Sequence, residues 1–297
     1  MQSPNPPAPL HVPVLPQEVL AWLAPCPGMI LADGTLGGGG HTRLLAEKLE
    51  NDGYVLALDR DPAALAAAEK NLAGLPVKIA QSNFCDLGSV LDELEVPAVD
   101  GVLLDLGLSS DQLADDSRGF SFDSSGELDL RFNPDEGEPA WRLLARMEER
   151  EIANIIYKFG EERFSRRIAR RIVEARGESP LKSVKDVAAL VRRCVPRSPK
   201  ERIDPATRTF QALRIAVNRE LESLELALAR IPDRLKLGGR FAIISFHSLE
   251  DRLVKEAFRG DLRLEPLTKK PIIATDEETA RNPRARSAKM RVAARRG

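Results

Sequence analysis

Within the first 105 residues, four short apolar runs recur with helix-like segments between them. The runs are Met29–Asp33, Tyr54–Asp59, Val77–Gln81 and Val99–Asp105. The segments between them are Thr42–Leu49, Pro62–Leu72 and Leu87–Leu94, with Gln17–Leu23 ahead of the first run. Runs that are apolar along their whole length belong to strands buried on both faces, and strands that alternate with helices pair in parallel. Asp61 before Pro62 is a good helix start, an acceptor cap followed by a residue of preset φ. The pattern predicts an α/β chain whose parallel sheet is covered by helices on both sides.

The alternation then breaks. From about Asp111 to Glu138 the chain is acidic and punctuated by Gly, Ser and Pro, with Arg118-Gly119-Phe120-Ser121-Phe122 inside it. Charged helices are predicted over Trp141–Met147, Glu149–Phe159, Glu162–Arg176 and Ser183–Cys194, and Pro196, Pro199 and Pro205 mark a loop. Phe210, Leu213, Val217, Leu221, Leu224 and Leu228 form a helical stripe that predicts one long helix over Arg208–Arg230. Gly238-Gly239 then turns into a strand over Arg240–Phe246, followed by a helix over Ser248–Phe258. The strand–helix theme therefore resumes after an all-helical interruption. The economical division is one α/β domain, residues 1–113 with 207–297, and an inserted helical domain, 114–206, expected to recognise substrate. The Pro-rich residues 1–10 are expected to be disordered.

The first strand runs into Asp33-Gly34-Thr35-Leu36-Gly37-Gly38-Gly39-Gly40-His41 and then a helix. Glycines let backbone approach a ligand, and a helix start offers N–H groups and partial positive charge. Alone the loop is weak evidence, since a tight strand-to-helix turn with no ligand is the other reading. A dinucleotide fingerprint requires Gly-x-Gly-x-x-Gly, and Leu36 occupies the second glycine position counted from Gly34. Asp59 closes the second strand, where an acidic side chain accepts from ribose hydroxyls. Phe84, after the third strand, suits an adenine wall or core packing alike. Asp105 ends the fourth strand, with Ser109 and Ser110 just beyond. Ligands of open α/β sheets bind outside the carboxyl ends of strands. This convergence suits S-adenosylmethionine better than a pyrophosphate cofactor, because the loop holds no Lys or Arg for phosphates. His247, at the end of the later strand, either orients a substrate base or caps the helix behind it.

Net charge of −1 gives no global attraction to nucleic acid, so such a partner must meet local basic patches. Arg163, Arg166, Arg167, Arg170 and Arg171 ride one helix, and Arg192, Arg193, Arg197, Lys200 and Arg202 follow. The tail holds Arg284, Arg286, Lys289, Arg291, Arg295 and Arg296 without an acidic residue, the best candidate for phosphate contacts. Cys26, Cys85 and Cys194 are odd in number and far apart, and His11, His41 and His247 have no metal-ligand spacing with them, so neither a disulfide framework nor a metal site is expected. The start lacks the basic and apolar regions of a signal peptide, and no run spans a bilayer. A cytoplasmic setting with no membrane partner is expected.

Several longer motifs carry a resemblance. Asp33–His41, Leu58-Asp59-Arg60-Asp61-Pro62, Leu103–Ser110, Arg118–Phe122, Ala206–Ile215, Ser245–Arg252 and Asn282–Ser287 resemble, in order, the bacterial 16S ribosomal RNA cytosine-N4 methyltransferase family (MraW/RsmH). The resemblance runs from His11 to about Arg291. It implies a Rossmann-like S-adenosylmethionine-dependent methyltransferase sheet with a helical insertion, acting on N4 of a decoding-centre (P-site) cytidine of 16S rRNA in the small ribosomal subunit. The donor contacts it implies are Gly39, Gly40, His41, Asp59, Phe84, Asp105 and Gln112. It leaves a homodimer open. Leu128-Asp129-Leu130-Arg131-Phe132 departs from the family's Leu-Asp-Met-Arg-Met, and Gly38 is an added glycine.

The exocyclic amine of cytosine is a poor nucleophile because its lone pair is delocalised, so positioning and hydrogen-bond acceptors carry the catalysis. Asp105 and His247 are the catalytic candidates. Phe120 or Phe122, or His247, is the candidate surface for an extruded base. Ser109, Ser110, Arg284 and Arg286 complete the substrate set. Two rivals stand beside this reading: a non-catalytic ribosome assembly factor that binds small-subunit RNA, and a nucleotide-cofactor oxidoreductase.

Overall fold

Each apolar run of the first half becomes a strand, in a computed structural model that describes residues 13–50, 52–196 and 203–297. The Pro-rich start, His11, Arg197, Lys200 and Arg202 lie outside the described residues. The order is α1 (Pro16–Leu23), β1 (Ile30–Asp33), α2 (Gly40–Leu49), β2 (Tyr54–Asp59), α3 (Pro62–Asn71), β3 (Val77–Gln81), α4 (Leu87–Glu93) and β4 (Val99–Asp105). Asp61 caps α3 as its sequence position suggests, accepting from Ala63 N at 3.1 Å. There follow α5 (Ser110–Ala114), α6 (Ala140–Arg146), α7 (Glu149–Gly160), α8 (Ser165–Glu178), α9 (Val184–Cys194) and α10 (Thr207–Asn218). The chain ends with α11 (Glu220–Arg230), β5 (Leu235–Ser245), α12 (Ser248–Gly260), β6 (Leu264–Pro266), α13 (Asp276–Arg281) and β7 (Lys289–Arg295).

Two compact units result: the described residues up to Ser109 together with Glu222–Gly297, and Ser110–Leu221. The helical unit is wider than the 114–206 span read from the sequence, because α5 and all of α10 pack with it.

The sheet unit holds seven strands in the order β3-β2-β1-β4-β5-β7-β6. β1 to β5 pair in parallel, and β7 runs antiparallel between β5 and β6. The order reverses between β1 and β4, the place where open α/β sheets bind ligands. Alternate residues serve the two faces, as a period of two requires. Leu56, Leu58, Val102, Leu104, Phe241 and Ile243 pack under Leu91, Leu224, Leu228, Val254 and Phe258 of the helices. Leu31, Val55, Leu103, Ala242 and Ile244 meet Val19, Leu23, Leu45 and Leu49 on the other side.

Three features differ from the sequence reading. The stripe over Arg208–Arg230 is two helices, not one. Arg219 takes a left-handed φ of 53°. Beside it the Asn218 amide donates to Leu130 O at 2.7 Å and Arg214 O at 2.9 Å and accepts from Phe132 N at 2.7 Å. An amide engaged this way competes with the backbone ladder and ends a helix. β5 begins at Leu235 and carries Gly238-Gly239 within it, as a bulge that moves its register on β4 from Val99–Leu235 to Gly101–Arg240. Lys289–Arg295 of the basic tail is β7, an interior strand.

In the helical unit, Ile152 and Ile156 of α7, Ile168 and Ile172 of α8, Val187 and Val191 of α9, and Phe210 and Leu213 of α10 are buried. Gly160 permits the α7–α10 approach, since a Cβ there would lie 2.4 Å from Arg208 O.

Candidate functional site

β1 delivers Asp33 into the turn that leads to α2. Its Oδ1 accepts from Thr35 N at 3.0 Å and Thr35 Oγ1 at 3.3 Å, and its Oδ2 accepts from Thr42 Oγ1 at 2.7 Å. The carboxylate thus ties both ends of the glycine loop together. Burial outweighs these bonds and raises its pKa. The Thr35 hydroxyl also accepts from Asp105 N at 2.6 Å, linking the loop to the end of β4. Gly39, just before α2, has φ of 82°, a left-handed conformation that glycine adopts without Cβ strain.

Asp59, at the end of β2, accepts from Gly37 N at 2.8 Å through Oδ2 and from Asp61 N at 2.9 Å through Oδ1. It shapes the loop as well as facing it. Burial raises its pKa against these two bonds. Phe84 follows β3 and is half-buried, packed against the sheet core on one side. Asn83 beside it accepts from Cys85 N at 3.3 Å and donates to Ser223 Oγ at 3.0 Å, which fixes the turn.

Asp105 closes β4. Its Oδ2 is 3.7 Å from His41 Nε2, with side-chain exposures of 11% and 5%. Its Oδ1 is buried and accepts no hydrogen bond from the described residues. Burial raises its pKa to about 7. Arg284 opposes that rise, while Asp33 and Glu250 add to it. Arg284 is held at this edge by donating to Leu108 O.

The structure therefore brings Gly39, Gly40, His41, Asp59, Phe84 and Asp105 to one edge of the sheet unit, around the β1/β4 reversal. Ser109 lies at the same edge, 3.6 Å from where a Cβ on Gly37 would sit. The orphan oxygen of Asp105 and a glycine loop shaped by Asp59 fit a ligand with hydroxyl or amine donors and no phosphate. No group of three or more side chains that could hold a metal occurs among the described residues.

Other sequence candidates are placed differently. His247 caps α12: its Nδ1 accepts from Glu250 N at 3.4 Å, its Nε2 is 3.1 Å from Glu250 Oε1, and Glu250 Oε2 accepts from Phe246 N at 2.8 Å. Nδ1 serves the cap, while the buried Nε2 has no hydrogen-bond partner among the described residues. Phe120, one of the three candidates for stacking on a base, is 7% exposed and tilted against Phe132 at 6.0 Å. Phe122 is half-buried and meets Phe210 edge-on at 4.9 Å. Ser110 opens α5, where Gln112 is buried.

Part of the basic tail is engaged within the sheet unit. Arg291 is buried and pairs with Asp251 at 2.7 Å, Arg295 pairs with Asp233 at 3.2 Å, and Lys289 stands 3.8 Å from Asp251. Only Arg286 and Arg296 of the six are exposed. Sequence reading also missed Thr35, Thr42 and Glu250. Thr35 had a signal, a hydroxyl two positions after a strand-end Asp, the spacing of an Asx turn. Glu250 had another, a Glu three positions after a cap, as in a capping box.

The profile of the MraW methylase family matches residues 8–296. A ribosomal RNA small subunit methyltransferase H of Rhodopirellula baltica is 52% identical over 296 residues, covering 96% of this chain and 91% of the relative. The protein of that name from Deinococcus deserti is 50% identical, with 96% and 93% covered, and that from Pelobacter propionicus 47%, with 95% and 97%. With a match along almost its whole length and relatives half identical to it, the chain belongs to the MraW methylase family.

Proposed function

We propose that the protein is an S-adenosylmethionine-dependent methyltransferase of 16S rRNA, a cytoplasmic enzyme that methylates the exocyclic N4 of a decoding-centre cytidine in the small ribosomal subunit. The observation that carries this reading is the Asp105 carboxylate, with a buried, unbonded Oδ1 at the switch point of the sheet, beside a glycine loop that lacks phosphate-binding cations. Gly39, Gly40 and His41 would line the donor's methionine end, Asp59 would hold its ribose and Phe84 its adenine. When bound, the donor supplies a methyl group activated by a sulfonium.

The protein's own groups then have defined tasks. Asp105 Oδ1 accepts a hydrogen bond from the cytosine N4–H, which draws the amine out of conjugation and orients its lone pair. N4 becomes acidic as its new bond to carbon forms, and Oδ1 takes the departing proton. A carboxyl raised to about 7 is matched to that task near neutral pH. Arg284 favours its charged form, and His41 Nε2 stands 3.7 Å from its other oxygen.

The test is incubation with methyl-labelled donor and small-subunit RNA, followed by nucleoside analysis. Label in N4-methylcytidine is expected. RNA that binds but gains no label would instead make the protein a ribosome assembly factor.

A further inference from the structure

Outside the donor site, α8 presents a face rich in guanidinium groups. α8 carries arginines at positions 166, 167, 170 and 171, all exposed, while Ser165, Ile168, Ala169 and Ile172 on its opposite face are buried. Arg163 precedes the helix by two residues and is exposed as well, over the ring of Phe164. The charges of Arg167, Arg171 and Arg193 all act on the thiol of buried Cys194, so the end of α9 adds a further guanidinium to the same neighbourhood.

This face is poorly neutralised. Arg171 pairs with Glu174 at 2.8 Å and Arg170 stands 3.9 Å from Glu149. Arg166 and Arg167 have no carboxylate within 4.0 Å among the described residues. Four other arginines of the unit are matched: Arg131 with Asp129, Arg146 with Glu138, Arg192 with Asp204 and Arg214 with Glu220. Like charges one turn apart work against the helix that bears them. A helix that keeps such a row unneutralised is suited to a partner carrying evenly spaced negative charge. The residue type narrows the partner further, because the planar guanidinium fork matches phosphate oxygens two at a time.

We propose that the α8 face, centred on Arg166, Arg167 and Arg170 with Arg163, Arg171 and Arg193 at its margins, is a docking site for the phosphate backbone of RNA. It does the electrostatic work expected of the C-terminal tail, where Lys289, Arg291 and Arg295 face carboxylates within the sheet unit. In a chain of net charge −1, a local field of this kind is what attracts a polyanion. The identification of the polyanion as ribosomal RNA rests on the methyltransferase reading above. Contacts to phosphate fix position and carry no base sequence, so the face acts on affinity rather than on the choice of cytidine.

The experiment is a titration of a 16S rRNA fragment with the full-length protein at several salt concentrations, alongside methyl transfer to the same RNA. The variants are Arg166→Ala/Arg167→Ala/Arg170→Ala and the matching triple Lys variant. The Ala variant is expected to bind RNA roughly ten- to hundredfold more weakly, with a corresponding rise in KM for RNA. The slope of log affinity against log salt should shrink by about 2, near 0.7 per lost phosphate contact. The Lys variant should keep most of the slope. Affinity for S-adenosylmethionine and the far-ultraviolet dichroism should be those of the wild type, which separates docking from folding. Wild-type affinity and salt slope in the Ala variant would overturn the docking site while leaving methylation standing. Weakened binding in the Ala variant, with no methyl transfer by the wild type, would sink the methyltransferase reading and leave the docking site. No RNA binding by the wild type would remove both.

Discussion

Asp105 is held up to about 7 by burial, with Asp33 and Glu250 pushing the same way and Arg284 resisting. Its ordinary value is 3.8, so the native state holds this proton over a range in which the unfolded chain has lost it. The stability that the protonated group contributes is complete below about pH 4 and is lost as pH rises through 7. At about 1.4 kcal/mol per unit, the loss has an upper bound of roughly 4 kcal/mol. Asp105→Asn is therefore expected to raise the melting temperature of the ligand-free protein at pH 8, with a gain that fades toward pH 4. The same substitution should lower methyl transfer at least a hundredfold. In the wild type, kcat/KM should climb about tenfold per pH unit up to about 7 and then level off. A flat profile between pH 5 and 8 would remove Asp105 from proton transfer. Asp59 and Asp105 were legible from the sequence because a strand-end carboxylate declares its own position. The 3.7 Å approach of His41 to Asp105 was not, since it joins groups 64 positions apart through the pairing of β1 with β4.

At the scale of elements, the parallel strands followed directly from apolar runs, whereas β7 was hidden by its charges. Lys289-Met290-Arg291-Val292-Ala293-Ala294-Arg295 reads as a basic tail until one sees that Arg291 and Arg295 are paired along the strand's margins. Because Arg291 and Asp251 are both largely buried, truncating one leaves the other's charge stranded. Arg291→Ala should lower the unfolding free energy by about 3 kcal/mol, read from the urea midpoint. Replacing both partners, as Arg291→Met with Asp251→Leu, should cost less than the single change. A loss under about 0.5 kcal/mol for Arg291→Ala would class the pair with surface ion pairs. The long helix read over Arg208–Arg230 failed for a related reason. Its apolar stripe is continuous, and the residue that breaks it, Arg219, is not a glycine. The cause is the long-range engagement of Asn218 with Leu130 and Phe132, which no local pattern displays.

On the scale of the whole molecule, two compact units imply two cooperative transitions rather than one. Gly39, Asp59, Phe84 and Asp105 all belong to the sheet unit, so S-adenosylmethionine at a hundred times its Kd should stabilise that unit by about 2.7 kcal/mol. Scanning calorimetry should show one transition moving upward with donor and the other staying in place. A single peak that shifts as a whole would mean that the units unfold together. The order of the strands also sets a timetable. β4 ends at Asp105, but its neighbour β5 begins at Leu235, 130 positions later. At about 5–20 residues per second, a nascent chain spends on the order of ten seconds making the helical unit while the outer edge of β4 has no partner. An unpaired edge is a template for wrong pairings. The helical unit can therefore be complete before the sheet that flanks it in sequence, and the sheet closes only when β7, made after both of its neighbours, threads between β5 and β6.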